Sequence, residues 1–252
     1  MDFSGKRVVI TGGTRGIGRA SALAFTARGA TVALVYRSDE EAANATLASL
    51  PAGDHLLIRK DIADPTQARE AVESAAELMG GLDVVVNSAG IGGHHRPDEV
   101  DYGSWQSAWQ RILAVNLIGA ANVCYCAAQS MITNGGGRIV NVSSRGAFRG
   151  EPDQPAYGAS KAGLNALSQS LAQRLAPHRI FVGVVAPGFV ETDMAADRLA
   201  GPAGDAIRAQ SPLGRVARPE EVAHAILFLA SEGAEFTTGT IIDVNGASYL
   251  RS

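Results

Sequence analysis

The sequence has little cysteine, since only Cys124 and Cys126 occur among its 252 residues. These two stand two positions apart in a predicted helix, where side chains point in different directions. The pattern favours buried thiols over a disulfide or a metal site. Because this cysteine usage is typical of reducing compartments, we expect a cytoplasmic protein that holds no metal.

Strong charge of one sign and long apolar runs are also absent. The formal net charge is −3, which leaves no basic footprint for nucleic acid or an anionic lipid surface. The longest uninterrupted apolar runs, such as Ala225–Ala230, are far too short to span a bilayer. The N-terminal stretch MDFSGKRVVI has neither the apolar core nor the cleavage site of a signal peptide. These absences predict small-molecule partners, with no membrane or nucleic-acid partner.

Glycine, with 29 residues, is abundant, and short apolar strands alternate with helices along the chain. The strands read as continuous Val/Ile-rich runs, as expected when helices cover both faces of a parallel sheet. The predicted strands are Lys6–Thr11, Thr31–Arg37, Leu82–Gly90, Arg138–Ser144, Arg179–Gly188 and Thr240–Gly246. The predicted helices lie near Asp39–Leu50, Pro65–Met79, Tyr102–Gln129, Gly158–Leu175 and Pro219–Ser231, with one more before Gly29. This order predicts an α/β fold, a doubly wound parallel sheet of about seven strands with helices on both faces. No linker interrupts it, so residues 1–252 are expected to form one domain.

A glycine-rich loop, TGGTRGIG, follows the first predicted strand and opens the first helix. Backbone N–H groups and the helix dipole favour an anion there. Gly12, Gly16 and Gly18 are spaced G-x-x-x-G-x-G, which differs from the usual dinucleotide spacing. A triphosphate loop needs lysine followed by a hydroxyl, and Arg19-Ala20 supplies no hydroxyl. A dinucleotide needs only a tight turn and a close approach of the backbone, which these glycines could provide. The alternative interpretation is a structural turn that binds no ligand.

The end of the second strand indicates which dinucleotide would bind. An NAD site usually places Asp or Glu there, on the ribose hydroxyls. This chain has Tyr36, Arg37 and Ser38, with no acid before Asp39. Arg15 and Arg37 would suit the 2′-phosphate of NADP, because arginine binds phosphate bidentately. We therefore favour NADP(H) as the cofactor, with NAD(H) as the alternative. The competing interpretation of the two arginines is that both are ordinary solvated surface residues.

Three side chains indicate acid–base chemistry. Tyr157 and Lys161 stand at i and i+4 on one face of a predicted helix. A nearby ammonium favours the phenolate, so Tyr157 is expected to have a lowered pKa and to act as an acid or base. An isolated Y-x-x-x-K pattern is more often an incidental surface pair. Ser144 supports the functional interpretation, because it ends a strand at the carboxyl edge, where ligands of open α/β sheets bind.

From Gly5 to Gly246 the chain resembles the short-chain dehydrogenase/reductase family, whose fold is a Rossmann-type sheet. The glycine loop has that family's spacing, Thr11-Gly12-x-x-x-Gly16-x-Gly18. The matching motifs that follow along the chain are Asn87-Ser88-Ala89-Gly90, Asn116, Ser144 thirteen residues before Tyr157-x-x-x-Lys161, and Pro187-Gly188 with Thr192. Ser88 departs from the more usual second asparagine. Arg145 stands where smaller residues are common and is expected to reach the mouth of the substrate site.

The resemblance implies an NADP-dependent oxidoreductase that transfers a hydride between nicotinamide and a carbonyl or secondary alcohol. Tyr157 would donate the proton, Ser144 would polarise the carbonyl, Lys161 would bind the ribose, and Asn116 would hold a water in the proton relay. The implied cofactor-binding residues are Gly12, Thr14, Arg15, Gly16, Ile17, Gly18, Arg37, Asp61, Ile62, Asn87, Ala89, Gly90, Tyr157, Lys161, Pro187, Gly188, Val190 and Thr192.

Two alternative functions stay open. One is the specific activity of 3-oxoacyl-(acyl-carrier-protein) reductase, and the other, from a different class, is a non-catalytic dinucleotide-sensing regulator. The resemblance also implies a homotetramer, assembled through the helices near Tyr102–Gln129 and Gly158–Leu175. A segment near residues 189–215 is expected to shape the substrate site, but it contains no motif that identifies the substrate.

Overall fold

A computed structural model describes residues 1–251, and its seven strands form one parallel sheet in the order β3-β2-β1-β4-β5-β6-β7. The strands are β1 (Arg7–Thr11), β2 (Thr31–Tyr36), β3 (Leu56–Arg59), β4 (Val84–Asn87), β5 (Gly137–Val142), β6 (Ile180–Pro187) and β7 (Ile241–Val244). The doubly wound parallel sheet predicted from the sequence is confirmed. Its topological switch point lies between β1 and β4, where successive connections cross to opposite faces.

Helices connect the strands and cover both faces of the sheet. They are α1 (Gly16–Thr26), α2 (Glu40–Ser49), α3 (Pro65–Leu78), α4 (Tyr102–Leu113), α5 (Ala120–Thr133), α6 (Gly146–Arg149), α7 (Pro155–Leu175), α8 (Asp193–Ala200), α9 (Gly204–Arg208) and α10 (Pro219–Ala230). A π-helical segment, Ala114–Gly119, joins α4 to α5.

The alternating side chains of β1 show how the core is divided. Val9 points to the face covered by α3, α5 and α7, whereas Val8 and Ile10 point to the face covered by α1 and α10. All three are fully buried. Because both faces exclude water, each residue of the strand must be apolar, and this explains the unbroken Val/Ile runs of the sequence.

The structure differs from the predicted elements in two places. Strand β3 was not predicted, because only Ile58 of its four residues is buried and so short a run carries little periodic signal. Helices α8 and α9 were also not predicted within the segment 189–215. Both are short, and their few buried side chains leave no long apolar stripe.

The α4–α5 stretch, Tyr102–Thr133, is longer than the helix predicted near Tyr102–Gln129. By length and hydropathy, this 32-residue helical stretch could cross a membrane, and half of its most apolar window (50%) is buried inside the chain. The buried side packs against α3, α7 and the sheet. The most apolar stretch is therefore in part a core helix, and its outer side carries exposed apolar residues.

Candidate active site

The glycine loop lies at the switch point, where β1 ends beside β4. Gly12 has a φ of 64°, and a Cβ there would fall 2.9 Å from the backbone Cα of Ala89. A Cβ on Gly18 would fall 2.1 Å from the carbonyl oxygen of Gly12. The side chain of Arg15, the N-cap residue of α1, makes no capping hydrogen bond. The first N–H groups of α1 therefore remain able to bind an anion such as a phosphate.

Other residues of the loop connect it to neighbouring elements. The carbonyl oxygen of Thr14 accepts a hydrogen bond from the Thr46 hydroxyl of α2 at 2.8 Å. Gly16 has a φ of 47°, and a Cβ there would fall 2.9 Å from Cγ2 of Thr192, the N-cap residue of α8. Ile17 lines the neighbouring cleft. The predicted phosphate loop and the predicted nicotinamide segment are therefore in direct contact.

The two arginines predicted at the 2′-phosphate have different surroundings. Arg37 is exposed at the end of β2, and its carbonyl oxygen accepts a hydrogen bond from Nε of Arg59 at 3.4 Å. Arg15 forms an ion pair with Asp39, and its Nε lies 4.0 Å from a carboxylate oxygen of Asp193. Neither this ion pair nor the neighbouring Arg59 is indicated by the sequence motifs. The positive charge of Arg15 is therefore partly compensated by the protein itself.

Asp61 and Ile62 follow β3 at the same edge of the sheet. The Asp61 carboxylate accepts a hydrogen bond from the backbone N–H of Ala63 at 3.0 Å, and its own N–H donates to the Gln67 side chain at 3.0 Å. Ile62 is buried, and its carbonyl oxygen would lie 2.5 Å from a Cβ on Gly119. These contacts fix the turn after β3 against the π-helical segment.

In the Asn87-Ser88-Ala89-Gly90 motif, Asn87 and Ala89 make hydrogen bonds to neighbouring elements, whereas Ser88 and Gly90 line the cleft. The buried Asn87 amide donates to Asn141 Oδ1 at 2.9 Å and to Cys124 Sγ at 3.2 Å, so it ties β4 to β5 and α5. The Ala89 N–H donates to the Thr11 hydroxyl at 3.2 Å. Ser88 and Gly90 line the cleft. Burial raises the pKa of the Cys124 thiol to about 12, so it stays protonated, as the buried-thiol interpretation requires.

Ser144 and Tyr157 both line the cleft, and the Ser144 hydroxyl is close enough to Tyr157 to affect its pKa. Ser144 follows β5, and its oxygen also accepts the Gly146 N–H at 3.0 Å. Tyr157 stands in the first turn of α7. Burial raises the pKa of Tyr157, the Ser144 hydrogen bond lowers it, and the nearby Glu151 carboxylate raises it.

The structure corrects the expected effect of Lys161 on the tyrosine. The sequence predicts that the ammonium lowers the pKa of Tyr157, but that pKa is raised in this structure. The reason is burial, which raises the pKa of Tyr157, while Lys161 Nζ donates to the carbonyl oxygen of Val142 at 2.8 Å and lies 5.8 Å from the centroid of the Tyr157 ring. Burial also lowers the pKa of Lys161 to about 8.

Asn116 lies in the π-helical segment, beside Lys161 and Ser160. Its side chain accepts the Ile91 N–H at 2.8 Å and donates to the Ile91 carbonyl oxygen at 2.9 Å and to the Ser160 hydroxyl at 3.1 Å. The amide therefore pins the strand-four loop to α7. A Cβ on Gly90 would lie 3.4 Å from Lys161 Nζ and 3.5 Å from Asn116 Oδ1, so this glycine keeps the space beside both side chains open.

The segment after β6 closes the other side of the cleft. The carbonyl oxygen of Pro187 accepts the Arg145 N–H at 2.9 Å, and the Gly188 N–H donates to Val244 at 3.0 Å. Val190 is buried and pairs with Ala217 in an isolated bridge. Pro187, Gly188, Val190 and Thr192 all line the cleft. The structure therefore places the predicted nicotinamide segment opposite Tyr157.

His95 is a buried residue of the cleft loop that the sequence motifs do not point to. His95 is only 1% exposed. Its Nδ1 lies 2.7 Å from the Gly93 carbonyl oxygen, and its Nε2 accepts the Ala156 N–H at 3.0 Å. The imidazole thus joins the cleft loop to the residue before Tyr157. Two consecutive histidines after a pair of glycines give no sequence signal for the burial of one of them.

The resulting cleft has a volume of about 380 Å³ and opens beside the glycine loop. Ser144, Tyr157 and Lys161 line its floor, and residues of α8 line its rim. Among residues 1–251, no group of three or more His, Cys, Asp or Glu side chains could hold a metal ion. The groups that line this cleft include the hydroxyls of Ser144 and Tyr157 and the ammonium of Lys161.

Comparison with known proteins shows the family to which this cleft belongs. A family model described as enoyl-(acyl carrier protein) reductase matches residues 12–247. A 3-oxoacyl-(acyl-carrier-protein) reductase of Aquifex aeolicus is 38% identical over 253 residues, covering 99% of each chain. Carbonyl reductase family member 4 of Xenopus tropicalis is 37% identical, over 98% of this chain and 99% of that protein.

Solved structures agree with the sequence comparisons. A short-chain dehydrogenase from Burkholderia cenocepacia, solved in complex with NADP, superimposes with a TM-score of 0.90 at 34% identity, covering 98% of this chain and 99% of that chain. The chain belongs to the short-chain dehydrogenase/reductase family. It is an NAD(P)-dependent oxidoreductase, similar to the 3-oxoacyl-(acyl-carrier-protein) reductases.

Proposed function

We propose that the protein catalyses the NADP-dependent reduction of a carbonyl to a secondary alcohol, and the reverse oxidation, with Tyr157 as general acid and base. The observation that carries this proposal is that Ser144 and Tyr157 line the same cleft, beside the glycine loop, with the Ser144 hydroxyl close enough to lower the pKa of Tyr157. Lys161 lines the same cleft. A proton donor and a polarising hydroxyl are what a carbonyl oxygen needs as it gains negative charge.

The residues present fit a nicotinamide dinucleotide. The glycine loop leaves room for a backbone approach that a Cβ on Gly12 or Gly18 would block, and the start of α1 offers free N–H groups. Gly90 keeps space open beside Lys161, where the ammonium would bind ribose hydroxyls. A bound nicotinamide would supply the hydride in reduction and accept it in oxidation.

The protein's own groups would handle the oxygen and the proton. Ser144 donates a hydrogen bond to the carbonyl oxygen, and Tyr157 transfers its proton to that oxygen as the carbon receives the hydride. The overall reaction converts the carbonyl compound, NADPH and one proton into the alcohol and NADP⁺. Because burial keeps the Tyr157 phenol protonated, the resting residue is in the acid form that reduction needs.

We propose NADP as the preferred cofactor, held at its 2′-phosphate by Arg15 and Arg37. The support is Arg15 in the glycine loop and the exposed Arg37 directly after β2, together with Tyr36 in place of an acid at the end of that strand. The NADP complex of the Burkholderia cenocepacia relative supports the same preference. The Asp39 carboxylate beside Arg15 moderates that preference, because it competes with the phosphate for the same guanidinium.

The experiment is a panel of ketones and aldehydes assayed for oxidation of NADPH and of NADH. The panel includes an acyl thioester of a carrier-protein mimic. We expect turnover with at least one carbonyl and a higher kcat/KM with NADPH. Tight NADPH binding without turnover of any carbonyl would contradict the proposal and favour a non-catalytic dinucleotide-sensing regulator.

The second candidate is 3-oxoacyl-(acyl-carrier-protein) reductase itself. It is favoured by the names of relatives that match over almost the whole chain at 34–38% identity. An acidic carrier protein requires basic residues at the cleft mouth. Arg96 and Arg198, which lie near the mouth, are both paired with Asp153. Turnover of the carrier thioester at a kcat/KM well above that of free ketones would establish this candidate.

We also propose that the protein assembles as a homotetramer in the cytoplasm. The outer side of the α4–α5 stretch exposes Ile118, Tyr125 and Ile132, which are 53%, 66% and 39% accessible. Apolar residues at helical spacing on a long exposed face are typical of a subunit interface. The expected contact uses the helices that the family resemblance implies.

A further inference from the structure

Arg145 connects the catalytic cleft with a second cavity. It directly follows Ser144 in the chain, and only 3% of its surface is exposed. Its side chain lines both the 380 Å³ cleft and an adjoining cavity of about 100 Å³. The sequence predicts that this arginine reaches the mouth of the substrate site, and the structure shows it lining the cleft while almost fully buried. The structure places its guanidinium in the wall between the two spaces.

The partners of this guanidinium are neutral. Nη1 donates to the Ser248 hydroxyl and Nη2 to the Gln210 side-chain oxygen, each at 2.5 Å. The guanidinium carbon lies 5.1 Å from the centroid of the Phe189 ring. No carboxylate among residues 1–251 forms an ion pair with Arg145. Two other arginines with little exposed side chain do have a carboxylate partner: Arg7 pairs with Asp83, and Arg138 pairs with Glu235.

The charge balance around Arg145 is positive. Burial lowers the pKa of Arg145, the Arg149 guanidinium lowers it further, and the Glu151 carboxylate raises it. The positive charges of Arg145 and Arg149 are therefore opposed by one negative charge, that of Glu151, on this wall of the cleft. A buried charge without a counter-ion is costly and persists in folded proteins mainly where function uses it.

The donor geometry fits a carboxylate. A guanidinium carries five N–H groups in a plane, and two of those on Arg145 are used by Ser248 and Gln210. Up to three donors remain for a ligand. Planar, bidentate pairing makes arginine the preferred partner of carboxylates. The adjoining cavity has the volume of roughly three water molecules, enough for a carboxylate and one or two carbons.

We propose that Arg145 binds a carboxylate carried by the substrate, so that the protein acts on short oxo acids and the corresponding hydroxy acids. This inference rests on the proposed carbonyl reduction and names its substrate class. The oxo acid, NADPH and one proton become the hydroxy acid and NADP⁺, while the carboxylate is unchanged. Because Arg145 directly follows Ser144 and both residues line the cleft, one small substrate could contact both of them.

A neutral acyl thioester would leave the Arg145 charge uncompensated. The carboxylate site therefore distinguishes this chain from an enzyme specialised for carrier-bound acyl groups. The partners of Arg145 also explain how the site is held: Gln210 belongs to the segment 189–215, and Ser248 follows β7 near the C-terminus. The guanidinium is oriented by two distant parts of the chain.

The test compares pyruvate, 3-oxobutanoate and 4-oxopentanoate with their methyl esters, using NADPH and four proteins: wild type, Arg145→Met, Arg145→Lys and Gln210→Ala. We expect the wild type to prefer at least one acid over its ester by about tenfold or more in kcat/KM. Arg145→Met should lower that acid-to-ester ratio by about ten- to a hundredfold, since it removes a bidentate charged contact. Arg145→Lys should keep part of the ratio, because it retains the charge without the planar fork.

Gln210→Ala is the matched control, because it breaks a contact of Arg145 while leaving the charge in place. If Arg145 served only to hold Gln210 and Ser248 together, Gln210→Ala would behave like Arg145→Met, and both variants would affect acids and esters alike. This result would overturn the inference. A wild type that reduces esters at least as well as acids would also overturn it.

Calorimetric titration of the acids into NADP⁺-loaded wild type and Arg145→Met separates the inference from the proposed function. If no probe is reduced but acid binding depends on Arg145, the carboxylate site stands and the proposed reduction fails. If esters are reduced while acids are neither bound nor preferred, the reduction stands and the carboxylate site is refuted. If acids are neither bound nor reduced, the site is also refuted.

Discussion

Lys161 directs its ammonium at the carbonyl oxygen of Val142, 2.8 Å away, and stands 5.8 Å from the centroid of the Tyr157 ring. The lysine is therefore anchored to the end of β5 and does not point at the phenol that its i, i+4 spacing suggests. The Lys161 ammonium would instead contact a ligand bound in the space beside Gly90.

The titration of Lys161 should control cofactor affinity. Burial lowers its pKa to about 8, so the ammonium is charged below pH 8 and neutral above it. Because the charged form is the proposed donor to ribose hydroxyls, we expect NADPH affinity to fall as the pH rises through this value. Fluorescence titration between about pH 7 and pH 9.5 measures the effect. Lys161→Met should bind more weakly and show a flat profile; a wild-type profile that is equally flat would refute the assignment.

Tyr157→Phe should remove the proton donor and little else. We expect kcat to fall on the order of 10²- to 10⁴-fold, the usual contribution of a general acid, with the Kd for NADPH within a few-fold of wild type. Single-turnover kinetics and equilibrium binding measure the two quantities separately. Near-wild-type kcat in a folded Tyr157→Phe protein would eliminate the proposed mechanism.

Arg37→Ala should weaken NADPH about ten- to a hundredfold, because it removes a charged phosphate contact. NADH, which lacks that phosphate, should be nearly unaffected. Tyr36→Asp should move the preference towards NADH, since it repels the phosphate and offers the ribose hydroxyls an acceptor. The measurement is kcat/KM with both cofactors, and equal weakening of both by Arg37→Ala would contradict the phosphate contact.

Asp39→Asn tests the ion pair that the structure adds to this site. Asp39 pairs with Arg15 and also caps α2, accepting the Ala42 N–H at 2.8 Å. Asparagine retains the cap and removes the charge. We expect NADPH affinity to rise several-fold, because Arg15 is freed for the phosphate, while NADH affinity changes little. A loss of NADPH affinity would show that Asp39 helps the cofactor site.

Asn116→Ala should destabilise the fold as well as reduce turnover. The Asn116 side chain holds both the N–H and the carbonyl oxygen of Ile91, and it is 1% exposed. Leaving these buried groups unpaired costs about 1–3 kcal/mol of unfolding free energy, measurable by urea denaturation. Ser160→Ala, which removes only one partner of Asn116, is the control and should cost less. Unchanged stability of Asn116→Ala would show that water replaces the amide.

The double variant Ile118→Glu with Tyr125→Glu tests the proposed assembly. Two charges on the exposed face of the α4–α5 stretch should dissociate a tetramer into smaller species, because buried unpaired carboxylates are costly at an interface. Light scattering at micromolar concentration gives the mass. Leu78→Glu, at a site that is 68% exposed on α3, is the control and should keep the wild-type mass. A wild-type monomer would rule out the assembly.

Local sequence pattern predicts the doubly wound parallel sheet, and the family resemblance identifies the site motifs along it. A Val/Ile run such as that of β1 can only be a strand buried on both faces, and Gly12 and Gly18 stand where any side chain would collide with backbone. These features depend on residue types and spacings within one element, which a sequence displays directly. The four-residue β3 was too short to be recognised in this way.

The partners of individual side chains depend on the tertiary structure and are not visible in the sequence. Arg15 pairs with Asp39, Asn87 joins β4 to β5, and His95 binds the residue before Tyr157. Arg145 faces Gln210, 65 positions away, and Ser248, 103 positions away. Whether an arginine meets a carboxylate, a neutral oxygen or water depends on how distant segments pack. That contact, more than the residue type, sets its burial, its pKa and the ligand that it can bind.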